Sequence, residues 1–152
     1  LGGHLPLDPN GPLCHEGHRG CSSAMLSIPS ITAQLGIALG REVDYDEVLA
    51  LAAEGHPLAV SITNAAGRAL GRMIALIANL AMVDAIVLAG EGMALWDVVA
   101  DVALAALAAD RDPEASPVEL FVDDAGFASW ARGAAAVAIQ AALGRLRLPV
   151  VE

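Results

Sequence analysis

The segment from His56-Pro57 to Leu80 constrains the fold more than any other stretch of the chain. Leu58, Ile62, Ala65, Ala69, Met73, Ile77 and Leu80 recur at steps of three and four residues, the spacing that lines apolar side chains along one face of an α-helix. Proline near the start suits a first helical turn, where the missing N–H leaves no intrahelical bond unmade. The segment therefore predicts one long amphipathic helix. Gly67 and Gly71 interrupt it one turn apart, and each costs up to about 1 kcal/mol relative to alanine in a helix interior. That cost is offset where another backbone passes close by, so a tight helix crossing is expected at these two positions.

The material for such a crossing is abundant. Of 152 residues, 56% are hydrophobic but only 3% aromatic, so the core of one folded domain must be filled by Ala, Val, Leu and Ile, which suit closely spaced helices. Ser22 to Leu39 reads as helix, with Pro29 starting a new helix or kinking this one. Gly40 is a stop. Asp44 is a cap for a helix over Tyr45 to Ala53, with Glu47 three residues on completing a capping-box pattern, and Gly55 ends it. Downstream, Asp84 to Gly92 is a short β-branched run closing in glycines, followed by helical periodicity from Met93 to Ala109. Asp112-Pro113 breaks that helix, Val118 to Val122 is a second strand, and Ser129 to Leu143 is a final alanine-rich helix before Gly144. Helix–strand–helix–strand–helix order predicts a helix-rich α/β fold with a few short parallel strands, joined by a right-handed crossover.

Charge narrows the partners. The net charge is −10 and all eight basic residues are arginine, without a cluster, so this chain alone is not expected to follow a phosphate backbone. The most apolar run, Ala81 to Gly90, is broken by Asp84 and falls well short of the roughly 20 residues a membrane span needs. Leu1 to Gly20 lacks the basic start and apolar run of a signal peptide. No membrane association and a cytoplasmic location are the expectations. Because the sequence opens at Leu1 and enters a polar loop at once, it also reads as a portion of something longer.

That polar loop, GHLPLDPNGPLCHEGHRGC at residues 3 to 21, holds three histidines, two cysteines and a glutamate. Zinc takes four nitrogen, sulfur or oxygen donors in a tetrahedron. His4, Cys14 and Cys21 supply three, and Glu16, His15 or His18 could supply the fourth. The two cysteines, with six residues between them, could instead close a disulfide, but beside histidines in a reducing compartment they read better as metal ligands. Residues 1–22 thus form a zinc-type loop on a helical α/β body over 23–152.

The remaining candidates are weaker. Leu88-Ala-Gly-Glu-Gly92 before a helix could aim backbone amides at a phosphate, or simply carry the chain out of a buried strand. Asp123-Asp124 reads as readily as a turn as it does as a carboxylate dyad, Asp97 and Asp101 as a solvated helix face, and Trp96 and Trp130 as core or interface anchors. No nucleophile–base pair is recognisable, and catalysis by this chain on its own is not expected.

Gly3-His4, nine residues, then Cys14-x-Glu16-Gly17-x-x-Gly20-Cys21 resembles the signature of the ROK family (repressor, open reading frame, kinase), in which Gly-His and a similar spacer precede Cys-x-Cys-Gly-x-x-Gly-Cys-x-Glu. Ala65 to Gly71, Asn79, Ile86-Val87-Leu88 and Trp130 to Ala135 are similar to the family's later helices and strands. The resemblance implies the C-terminal part of an actin-like, ribonuclease-H-like ATPase lobe. It places His4, Cys14 and Cys21 at zinc-ligand positions, with Glu16 where the family has its middle cysteine. Two glutamates that contact sugar in family members correspond to Leu1 and Ser23, which leaves His4, with Ser23 beside it, as the remnant of a ligand pocket. Gly90 and Gly92 are the remnant of a nucleotide turn in which Ala89 and Glu91 replace glycines.

The family's catalytic Asn-Asp pair and first phosphate turn would lie upstream of this sequence. What the resemblance implies is the effector-binding and dimerisation portion of a sugar-responsive transcriptional regulator. It would be a zinc-bearing homodimer that meets a sugar or sugar-derived effector here and DNA only through an N-terminal winged helix-turn-helix. The alternative implied is the C-terminal part of an ATP-dependent sugar kinase. A zinc-clipped interaction module without a pocket is a third reading.

Overall fold

The computed structural model describes residues 2–123 and 126–145. Its elements follow the order α1 (Ser22–Leu26), α2 (Ile28–Leu39), α3 (Tyr45–Ala53), α4 (Pro57–Ala81), β1 (Ala85–Ala89), α5 (Trp96–Asp110, entered through a 3-10 turn at Met93–Leu95), β2 (Glu119–Asp123) and α6 (Phe127–Arg145). The stretch after the loop is two helices, separated by Ser27 in an extended conformation, with Pro29 in the first turn of α2. Proline has no N–H to donate to a preceding turn and its ring clashes with the carbonyl four residues back, so α1 cannot run on into α2 and the chain resets at Ser27.

Asp44 caps α3 as its side chain predicts, accepting from the Glu47 backbone N–H at 2.8 Å. The reciprocal half of the capping box is not formed. The Glu47 carboxylate instead meets the Arg41 guanidinium, with Nη1 3.0 Å from Oε2, because a full positive charge is a stronger partner than the cap backbone N–H.

Helix α4 is the spine of the fold, and α5 crosses it at the two glycines. A β-carbon at Gly67 would come within 2.8 Å of the Val99 Cβ, and one at Gly71 within 2.8 Å of the Ala106 Cβ. The face of α4 that is buried is accordingly its small one, Ala59, Thr63, Ala66, Gly67, Gly71, Ala75 and Ala78 among others. Several members of the large apolar stripe stay partly open, Leu80 to 83%. Close approach of two backbones selects small residues for the contact and pushes bulkier ones to its margins.

One core gathers Ile31, Leu35, Val48, Ala59, Ala66, Leu95 and Val99 from α2 to α5. A second joins Ile74, Ala75, Leu88 and Leu107, with Ile86 and Leu120 packed on it. Strands β1 and β2 pair in parallel, in register from Ala85 with Glu119 to Ala89 with Asp123, and α5 supplies the connection. Side chains alternate across the pleat: Ile86 and Leu88 turn to the core, while Val87 and Phe121 remain 65% and 50% exposed. Among the described residues no helix is long and apolar enough to cross a membrane.

Candidate metal centre

The opening loop folds back on itself twice. Its first limb runs antiparallel to the segment entering α1, with Leu7 N donating to Gly20 O at 2.9 Å, Ser22 N to Leu5 O at 2.9 Å, and a bridge between Pro6 and Cys21. This pairing sets His4 beside Cys21. The second fold is a hairpin in which Leu13 bridges Arg19, Cys14 N donates to His18 O at 2.9 Å and Gly17 N donates to Cys14 O at 2.9 Å.

Gly20 is where the two folds meet, at φ +55°, and a β-carbon there would lie 1.6 Å from the Asp8 carbonyl oxygen. No other residue fits. The loop is anchored to the body by Leu7, buried with Met25 and Ala69, and by Arg72 of α4, whose Nη1 donates to Leu7 O at 2.8 Å.

These folds bring His4, Cys14 and Cys21 together, one ligand atom from each lying within 4.8 Å of the others. His4 Nδ1 is 3.7 Å from Cys14 Sγ and 3.6 Å from Cys21 Sγ. Zinc–sulfur bonds near 2.3 Å and zinc–nitrogen bonds near 2.0–2.1 Å at a tetrahedral angle separate sulfur from nitrogen by about 3.6 Å. The group is therefore spaced as three corners of such a tetrahedron, and its donor set suits zinc.

Both cysteines are free thiols. Cys21 is buried at 1% exposure while Cys14 is half-buried. Partial desolvation raises the Cys14 thiol, but backbone hydrogen bonds at Glu16 and His18 and the side chains of His18 and Cys21 outweigh it, lowering the pKa to about 6. A thiolate, the form that binds metal, is thereby favoured at neutral pH.

The three candidates for a fourth ligand are placed differently. Glu16 sits in the hairpin turn with its Oε1 3.2 Å from His15 Nε2, both side chains well exposed, and neither Glu16 nor His18 lies within 4.8 Å of all three members of the group. His18 Nδ1 lies 3.6 Å from Cys14 Sγ, and its ring centroid is 4.5 Å from that of His4.

Ser23 is half-buried beside this loop, its N–H donating to Gly3 O at 2.8 Å. Leu1, which the family resemblance pairs with Ser23, lies outside the described residues. Gly90 and Gly92 flank Glu91 beyond the carboxyl end of β1, where open parallel sheets commonly bind ligands. A cavity of about 510 Å³ there is lined by Glu91, Asp97, Trp96, Met93 and Val122 together with small residues, and no basic side chain is among the described ones.

Tyr45 closes over this turn, its hydroxyl donating to Gly92 O at 2.9 Å across 47 residues of sequence. Nothing local in the sequence signals that contact. Asp97 and Asp101 are exposed on α5, Trp96 packs on the second core, Trp130 is exposed, and Asp123 receives Ser129 Oγ at 3.2 Å. Asp124 lies outside the described residues.

A sequence model of the ROK family matches residues 2–141. Among solved structures the chain is similar to a ROK hexokinase from Thermus thermophilus, with 25% identity and a TM-score of 0.65 over 79% of this chain and 40% of that one. It is similar to a ROK family transcriptional regulator described as a homolog of the E. coli MLC protein, with 26% identity and a TM-score of 0.67 over 80% of this chain and 33% of that one. It shares the fold of a ROK family glucokinase from Streptomyces griseus, in complex with glucose and AMPPNP, at 21% identity and a TM-score of 0.64 over 82% of this chain and 46% of that one. No curated protein matches. The chain spans less than half the length of each of these three structures. With the family's sequence pattern covering residues 2–141, nearly its whole length, and a fold similar to that of a ROK hexokinase and of a ROK regulator alike, the chain belongs to the ROK family.

Proposed function

We propose that this chain is the effector-binding and dimerisation portion of a sugar-responsive ROK-type transcriptional regulator, working in the cytoplasm. An N-terminal winged helix-turn-helix carries the DNA contact, and the chain is the C-terminal part of an actin-like lobe. The observation that carries this reading is the cavity beyond β1. Where a kinase would hold nucleotide phosphates, Glu91 and Asp97 present carboxylates. Anions facing phosphate raise its free energy, and no basic side chain among the described lining residues offsets them. Ser23 in place of a sugar-contact glutamate removes a strong acceptor for sugar hydroxyls, which suits a loosely bound effector better than a substrate held for phosphoryl transfer.

Zinc, held by His4, Cys14 and Cys21 with a fourth donor, has a structural task in this reading. It pins the polar loop against α1 and α4 and so orders the edge of the effector pocket. Effector binding then shifts the relative populations of two arrangements of the full protein. Apolar side chains along α6, including Phe127, Trp130, Val137 and Ile139, are exposed. They support a covered face in the assembled homodimer.

The kinase reading draws on the likeness to the Thermus thermophilus hexokinase, but a shared fold does not carry chemistry with it. The two separate in one experiment on the polypeptide that contains this segment. Hexose-dependent consumption of ATP in a coupled assay, and retention of its operator fragment on a gel with and without sugar, are measured side by side. Loss of DNA retention on adding sugar, with no turnover, is the expected result. Turnover of hexose with ATP would establish the kinase instead.

A further inference from the structure

We infer that His18, not Glu16, is the fourth metal ligand, so that this chain has exchanged the family's His-Cys-Cys-Cys set for a His-Cys-His-Cys one. The inference rests on the reading of the loop as a metal site and specifies its chemistry. Cys14 and His18 face each other across the hairpin, the backbone N–H of Cys14 bonded to the carbonyl of His18 at 2.9 Å. Directly opposed residues of an antiparallel pair project to the same side, with β-carbons roughly 4.5–5.5 Å apart. Glu16 sits between them in the turn, and its carboxylate is engaged by His15.

Spacing favours the same assignment. The 3.6 Å from Cys14 Sγ to His18 Nδ1 equals the separation from His4 Nδ1 to Cys21 Sγ. Both match the sulfur–nitrogen edge of about 3.6 Å in a tetrahedral zinc site. Three of the four sulfur–nitrogen edges of such a site are thus already drawn. The His18 ring is exposed and lies tilted by 43° against the His4 ring with centroids 4.5 Å apart; the fourth edge, to Cys21, is not formed, and closing it requires a turn of this exposed ring. Charge points the same way. Two thiolates and two neutral imidazoles balance a divalent ion, whereas a glutamate in the set would leave a net negative site on a chain already at −10.

The test uses the full 152-residue chain, metal-free, titrated with zinc against a chromophoric chelator, alongside the variants His18→Ala and Glu16→Gln. His18→Ala is expected to weaken zinc binding at least about tenfold, the effect that even outer-shell partners of a metal reach, while Glu16→Gln changes it by less than about twofold. Far-UV circular dichroism of both variants checks that the body is folded. X-ray absorption of the zinc-loaded unaltered chain needs no variant, and it should show two sulfur and two nitrogen neighbours with outer-shell scattering from two imidazole rings. One ring only, or loss of zinc in Glu16→Gln with none in His18→Ala, overturns the His18 assignment while leaving a metal site. Failure of the unaltered chain to bind zinc at all removes the metal reading itself, and the assignment with it.

Discussion

Gly71 of α4 lies so close beneath α5 that a β-carbon at position 71 would stand 2.1 Å from the Ala103 carbonyl oxygen. The neighbour is backbone within a helix and cannot rotate away. Gly71→Ala should therefore sit at the upper end of overpacking effects, destabilising by about 3 kcal/mol, read as a lowered urea midpoint. Gly133 in α6 has open space where its β-carbon would be, and Gly133→Ala should stabilise by roughly 0.5–1 kcal/mol through helix propensity alone. Equal effects at the two sites would mean that α4 and α5 do not cross here.

The turn between Gly90 and α5 is held from a distance. Tyr45→Phe removes the hydroxyl bonded to Gly92 O and should destabilise by about 1 kcal/mol, with amide exchange quickening at Met93 and Leu95, whose N–H groups close that turn. Asp44→Ala removes the cap of α3 at a cost of about 1 kcal/mol. It should leave exchange at Met93 unchanged, because the cap acts on α3 alone.

Arg72 makes two contacts of unequal worth. Its ion pair with Asp110, at 3.1 Å, is about half exposed, and pairs of that kind contribute roughly 0–1 kcal/mol. Its bond to the Leu7 carbonyl holds the loop to the body and, being charge-assisted, contributes about 1.5–3 kcal/mol. Arg72→Met should thus destabilise clearly more than Asp110→Asn in thermal unfolding. Only the former should speed proteolysis within residues 8–19.

Cys14 in the metal-free chain should alkylate with a pH profile centred near 6. The native thiol releases its proton about three units below the ordinary 9.0, so between pH 6 and 9 the unfolded chain binds more protons than the native one, and stability rises with pH across that window. The contribution is fully present above pH 9 and lost as pH falls through 6. Iodoacetamide rates measured from pH 5 to 10 check this, and a midpoint near 9 would contradict the hydrogen bonding found in the hairpin. Cys14→Ser should flatten the corresponding slope in stability.

Most of the fold was legible along the chain. The stops at Gly40 and Gly55, the reset near Pro29, the cap at Asp44 and the breaks around both strands all lie where short-range stereochemistry puts them, since capping, proline and β-branching act within a few residues. The glycine pair in α4 announced a crossing too, because the cost of glycine inside a helix is offset where another backbone comes close, although it did not name α5 as the partner. The gathering of histidines and cysteines in residues 3–21 was equally plain, and the family's residue pattern named three of them as a set.

What composition and spacing alone determined was the succession of helices and strands and the presence of one polar, ligand-rich loop. Tertiary structure decided the rest. It chose the small-residue side of α4 as the core, because α5 brings its backbone there. It sent Glu47 to Arg41 rather than to its own cap, and it laid Tyr45 over Gly92. In the loop it set His18, and not Glu16, opposite Cys14, because side chains across a hairpin are sorted by register. Each of these depends on groups brought together from different turns and elements, and their distances are set by how the chain packs rather than by the order of its residues.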